Sequence, residues 1–125
     1  MKILKLSKKA YKQYTTTVKG NEDTDMDQVA RKLTRNIQIV KEKVERHKWM
    51  KEKLIHESMF WTTYCYGDLH IKVWNGKVIR VKNFQGDNEF EFFVPKRRYE
   101  QISKQLRIEG YEKKFSRKKN NRKFV

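Results

Sequence analysis

From Asp25 to Glu57 the chain contains no Gly and no Pro, and Val29, Leu33, Ile37, Val40 and Val44 recur at spacings of four, four, three and four. An α-helix turns once every 3.6 residues, so these side chains fall on one face and predict a long amphipathic helix starting near Asp25. Glu22, Asp23 and Asp25 precede it, where the positive end of the helix dipole favours carboxylates. Arg31, Lys32, Arg35, Lys41, Lys43 and Arg46 flank the stripe and read as a wet surface. The stripe is narrow, so a coiled-coil-like dimer is one use for it. A break is expected near His47, with the helix resuming through Met50 and Leu54.

After this helix the pattern changes period. Residues 60–66 are aromatic and rich in Thr, a composition suited to a strand. Two further strands, residues 69–74 and 77–82, flank Asn75-Gly76, the dipeptide that adopts the positive φ angles of a two-residue hairpin turn. Alternation puts Leu69, Ile71 and Val73 on one face and His70, Lys72 and Trp74 on the other, giving an apolar side and a basic, aromatic side. Residues 89–94 read as another strand, with Phe90, Phe92 and Val94 on one face. Pro95 opens a helix with Tyr99, Ile102 and Leu106 as its stripe, ended by Gly110. At the N-terminus, residues 2–7 suit an edge strand and Ser7 caps a short helix.

The sum is an α+β fold: a long N-terminal helix and a C-terminal helix packed on a three- to four-stranded antiparallel sheet. Residues 1–110 form the expected single domain, and residues 111–125 a basic, flexible tail. Residues 66–79 resemble a hairpin found in small bacterial proteins, a likeness that implies no function.

Charge narrows the function classes. Lys and Arg number 31 against 15 Asp and Glu, a formal charge of +16 on 125 residues. Such a chain repels itself unless an anionic partner is present, and nucleic acid fits best because neutralised phosphates release counterions. The 22 Lys against nine Arg, with a single Pro, point to a small protein of bacteriophages or mobile elements. The single cysteine, Cys65, excludes an intramolecular disulfide framework and a zinc finger, and with no transmembrane run the chain reads as cytoplasmic.

Phosphate contacts are assigned to Lys72, Arg80 and Lys82 on the hairpin and to Arg97 and Arg98 on the C-terminal helix. The tail supplies Lys113, Lys114, Arg117, Lys118, Lys119, Arg122 and Lys123, and basic residues 1–19 form a second arm. Trp74 and Phe84 are the rings expected to stack on bases, whereas Trp61, Tyr64, Phe90 and Phe92 read as core.

Catalysis and metal binding find little support. Asp23, Asp25 and Asp27 alternate like a calcium loop, but Gln28 and Thr34 stand where Gly and Glu are needed. His47, His56 and His70 lack metal-site spacing, and no phosphate-binding Gly-rich loop occurs. The expected function is therefore a non-catalytic accessory or regulatory protein that binds DNA or RNA, with no cofactor and no metal. The alternative is an inhibitor or modulator of a polymerase or a defence nuclease such as a CRISPR effector. A metal-dependent nuclease using Asp68, Asp87, Glu89 and Glu91 comes third, and an amphipathic membrane-surface role last.

Overall fold

A computed structural model of the chain describes residues 1–85 and 92–111. The chain runs through β1 (Lys5–Leu6), α1 (Lys8–Thr17), α2 (Met26–Arg46), a 3₁₀ turn (Lys48–Met50), α3 (Lys51–Leu54), β2 (Ile55–Glu57), β3 (Thr62–Tyr66), β4 (Leu69–Trp74), β5 (Lys77–Asn83) and α4 (Lys96–Gln105). The class is α+β, as expected, but the sheet is larger than three or four antiparallel strands. It has five strands in the order β1-β5-β4-β3-β2, and β1 lies parallel to β5. β2, the three residues after α3, escaped the sequence reading because it is short, whereas β1 falls within the edge strand expected over residues 2–7 and is cut to the two residues that pair with β5.

Local chemistry sets the helix ends. Ser7 Oγ accepts the Ala10 N–H at 3.0 Å and starts α1, while Asp25 Oδ1 accepts the Gln28 N–H at 2.8 Å and starts α2. His47 ends α2, where the sequence places the break. α4 ends at Gln105, short of Gly110, because Arg107 takes the left-handed conformation at φ 55°. Its N–H bonds Lys104 O at 3.1 Å and the Ile108 N–H bonds Ser103 O at 2.9 Å, the two bonds of a Schellman closure. A side chain is strained there, so Arg107→Gly is expected to stabilise the fold by about 0.5–1 kcal/mol, read as a rise in urea midpoint.

The hairpin turn is as its dipeptide predicts, with Asn75 at φ 51° and Gly76 at φ 74°. Beyond it, the register moves from Val73↔Val78 to Lys72↔Arg80, leaving Ile79 as the extra residue of a bulge. Val78 and Val81, three apart, therefore both reach the core, and Arg80 and Lys82 both face the other way.

The central core joins Ala10 and Tyr14 of α1 and Val29, Leu33 and Ile37 of α2 to Leu69, Ile71, Val78 and Val81 of the sheet. The N-terminal segment is thus a folded element whose lysines lie on its exposed side, not a free arm. Val40 and Val44 bury against Leu54 and Cys65, so the α2 stripe is consumed within the chain and leaves no seam for a coiled coil. α2 also buries a second face that the stripe does not reveal: Ile39 packs with Tyr99, Ile102 and Leu106. That contact seats α4 on α2, correcting the expected packing of the C-terminal helix on the sheet. Half of the predicted strand 89–94, residues 89–91, lies outside the described residues, and residues 92–95 carry no regular structure.

Candidate nucleic-acid interface

The sheet presents one face to α1 and α2 and the opposite face to solvent. Strand register builds that outer face row by row, since paired residues in adjacent strands share a side. Thr63, Lys72 and Arg80 form one row, and His70 and Lys82 belong to another two residues away along β4. Trp74, two residues from Lys72 in the other direction, shares this side and is 51% exposed. Thr63, His70, Lys72, Arg80, Lys82 and Phe84 line a groove of about 190 Å³ with no carboxylate in its walls.

Rings and cations alternate across this surface. Lys72 Nζ stands 4.5 Å from the centre of the Trp61 ring, and Lys82 Nζ stands 4.7 Å from that of Phe84. Phe84 in turn lies 4.4 Å from the His70 ring, centroid to centroid, and its N–H bonds Asp68 O at 2.9 Å, which fixes the loop after β5. Partial burial, followed by the charges of His56 and Lys82, holds the His70 pKa below its usual value, so the ring is mostly neutral near pH 7.

Of the residues assigned to phosphate or base contact, Lys72, Arg80, Lys82 and Phe84 converge in the groove, with Trp74 on the same face. Trp61 was placed in the core by its composition. It is instead 38% exposed and carries Lys72 over its ring, whereas Tyr64 and Phe92 do pack on the core. The signal for Trp61 was positional: it directly precedes β3 at the tight turn in which the Ser58 N–H bonds Trp61 O at 2.8 Å. Phe90 lies outside the described residues, as do Lys113, Lys114, Arg117, Lys118, Lys119, Arg122 and Lys123.

Arg97 and Arg98 sit on α4 and do not line the groove. Arg98 is committed elsewhere: Nε and Nη2 grip the two carboxylate oxygens of Glu42, each at 2.7 Å, and clamp α4 to α2. The Arg98 bonds, aided by Gln38, hold the Glu42 carboxyl below its ordinary pKa. A depressed carboxylate contributes stability that is full above the unfolded pKa of about 4.3 and is lost as pH falls through the folded value. Urea melts across the acid range should therefore show a shallower acid loss for Glu42→Gln than for the parent chain, with a modest amplitude because Arg98 is partly exposed.

Groups suited to catalysis are not gathered in this way among the described residues. Burial pushes the Cys65 thiol up to about 11, which keeps it protonated and unreactive. Among the described residues no three His, Cys, Asp or Glu side chains form a group able to hold a metal ion. Asp87, Glu89 and Glu91 of the nuclease set lie outside them, and no described helix is long and apolar enough to cross a membrane.

The YorE family profile matches residues 4–105, from β1 to the end of α4. The chain belongs to the YorE family. Its similarity extends over nearly the full length to the SPbeta prophage-derived uncharacterized protein YorE of Bacillus subtilis (strain 168), at 34% identity across 130 aligned positions covering 98% of each chain. The prophage source of this YorE relative accords with the phage or mobile-element character read from the lysine-rich composition. No solved structure matches.

Proposed function

We propose that this YorE-family chain binds single-stranded nucleic acid across the outer face of its sheet, as an accessory or regulatory protein without catalytic activity. The observation that carries the reading is the alternation of Lys72, Arg80 and Lys82 with Trp61, Phe84 and Trp74 on a face free of carboxylates along its groove. Cations spaced along strands follow a phosphate backbone, and exposed rings between them stack on bases whatever their sequence. A duplex hides its base faces, so rings presented on an open sheet favour an unpaired strand. The exposed lysines of β1 and α1 extend the positive surface from the neighbouring sheet edge, where Lys5 pairs with Lys77.

Fluorescence anisotropy with labelled single-stranded DNA, RNA and duplex DNA, on nuclease-treated protein from about 50 to 300 mM salt, tests this reading. Submicromolar binding of a single strand with a steep salt slope is the expected result. Absence of binding at low salt would sink it.

A second reading, a modulator of a nucleic-acid-processing enzyme, draws on the β2–β3 turn, where Met59 is 88% and Phe60 63% exposed. Apolar side chains this exposed suit a protein contact. Retention of such an enzyme on the immobilised chain after nuclease digestion, lost on Met59→Ser with Phe60→Ser, would favour it.

A further inference from the structure

On the helical side of the sheet lies a larger cavity of about 540 Å³, within the size range of small-molecule sites. Arg35 of α2 lines it and is only 4% exposed, although its position beside the apolar stripe marked it as a surface residue. A buried guanidinium normally faces a carboxylate, because an uncompensated charge is costly to desolvate. Here the partners are neutral: Nε donates to Asn36 Oδ1 at 3.1 Å, Nη1 donates to Ser103 Oγ at 3.2 Å, and the group lies 4.1 Å from the Tyr99 ring centre. Guanidinium carries five N–H donors, so these two bonds leave most of its donor capacity for something else.

A second cation shares the cavity. Lys32, one turn before Arg35, is half-buried and donates to Asn21 Oδ1 at 2.7 Å. Its pKa is lowered, first by burial and then by the charge of Arg35, so the two cations disfavour one another. Tyr14, Tyr66 and Tyr99 also line the space. Burial raises all three phenols, Tyr14 to about 12, with Arg35 opposing each shift, and they stay protonated as donors. Glu109 is in the wall too, and among the described residues it pairs with neither Arg35 nor Lys32. One part of the cavity thus offers positive charge and donors, and another offers acceptors for hydroxyl groups.

We propose that this cavity binds a phosphomonoester whose body carries hydroxyls, the chemistry shared by a nucleoside monophosphate and the 5′-phosphorylated end of a strand. A phosphomonoester carries close to two negative charges at neutral pH, which matches Arg35 and Lys32 together. Two of its tetrahedrally arranged oxygens can accept parallel N–H bonds from a planar guanidinium such as that of Arg35. The site stands apart from the outer sheet face and needs no binding there.

Calorimetric titration of the full chain at about 150 mM salt tests the proposal with adenosine 5′-monophosphate, adenosine, inorganic phosphate, and one tetranucleotide with either a 5′-phosphate or a 5′-hydroxyl. The expected result is saturable 1:1 binding of the monophosphate or the phosphorylated tetranucleotide, competition by inorganic phosphate and none by adenosine. Lys32→Met should weaken binding by about tenfold or more, the loss of one charge-assisted contact. Tyr14→Phe, which preserves packing, should weaken it several-fold. Replacing Lys72, Arg80 and Lys82 should leave binding of adenosine 5′-monophosphate unchanged, which separates this site from the outer face. Binding of the mononucleotide alone assigns a free nucleotide, and binding of the phosphorylated strand with the same Lys32 dependence assigns a strand end. No binding of any phosphate, equal binding of adenosine, or binding indifferent to both Lys32→Met and Tyr14→Phe would overturn the proposal.

Discussion

Replacing Lys72, Arg80 and Lys82 together by glutamine is expected to weaken single-strand binding by about a hundredfold at about 0.1 M salt and to flatten the log–log salt slope by about two. Each phosphate contact to a single strand contributes a slope of about −0.7, so three contacts account for both figures. The three cations occupy adjacent strands on the solvent face and none is in an ion pair among the described residues, so their removal should leave the core intact. Rings act differently. Trp74→Ala or Phe84→Ala should cost about 1–3 kcal/mol of affinity with the salt slope unchanged, because stacking releases no counterions. Arg98→Gln should alter stability and leave the slope alone, since Glu42 already holds that guanidinium. A triple variant that keeps full affinity, set against a chain lacking residues 112–125 that loses it, would move the interface from the sheet to the tail.

Features governed by local periodicity were legible in the sequence. The spacing of Val29 to Val44 marks α2, Asn75-Gly76 marks the hairpin, and Ser7 and Asp25 mark the two helix starts, because each is decided within a few residues. Alternation along β4 also placed Lys72 opposite Ile71, which is why Lys72, Arg80 and Lys82 could be grouped before any pairing was known. What depends on contacts far apart in the chain was not legible. The parallel pairing of β1 with β5, more than 70 positions later, and the seating of α4 on α2 through Ile39 both follow from tertiary contact. Arg35 is the most instructive miss. A one-stripe reading of α2 left it in water, yet Ile39, one turn further on and off the stripe, signalled a second buried face. Once α4 covers that face, Arg35 becomes an interior cation.

Leu33→Ala is expected to cost about 3–5 kcal/mol, seen as a fall of about 2 M in urea midpoint with little change in slope. Leu33 is fully buried where α2 meets α1 and the sheet, among Ala10, Tyr14, Val29 and Ile71, so truncation opens a void bounded by three elements. Ordinary domains have only about 5–15 kcal/mol in total, and here a formal charge of +16 opposes compaction, so the loss takes a large share. Part of the deficit should return with added salt, which screens the self-repulsion without refilling the void. The variant also separates the two proposed sites. Lys32 and Arg35 flank the truncated position on the same helix, so phosphomonoester affinity should fall before the protein melts. Strand binding on the far face of the sheet, held by backbone pairing between β3, β4 and β5, should persist until it does.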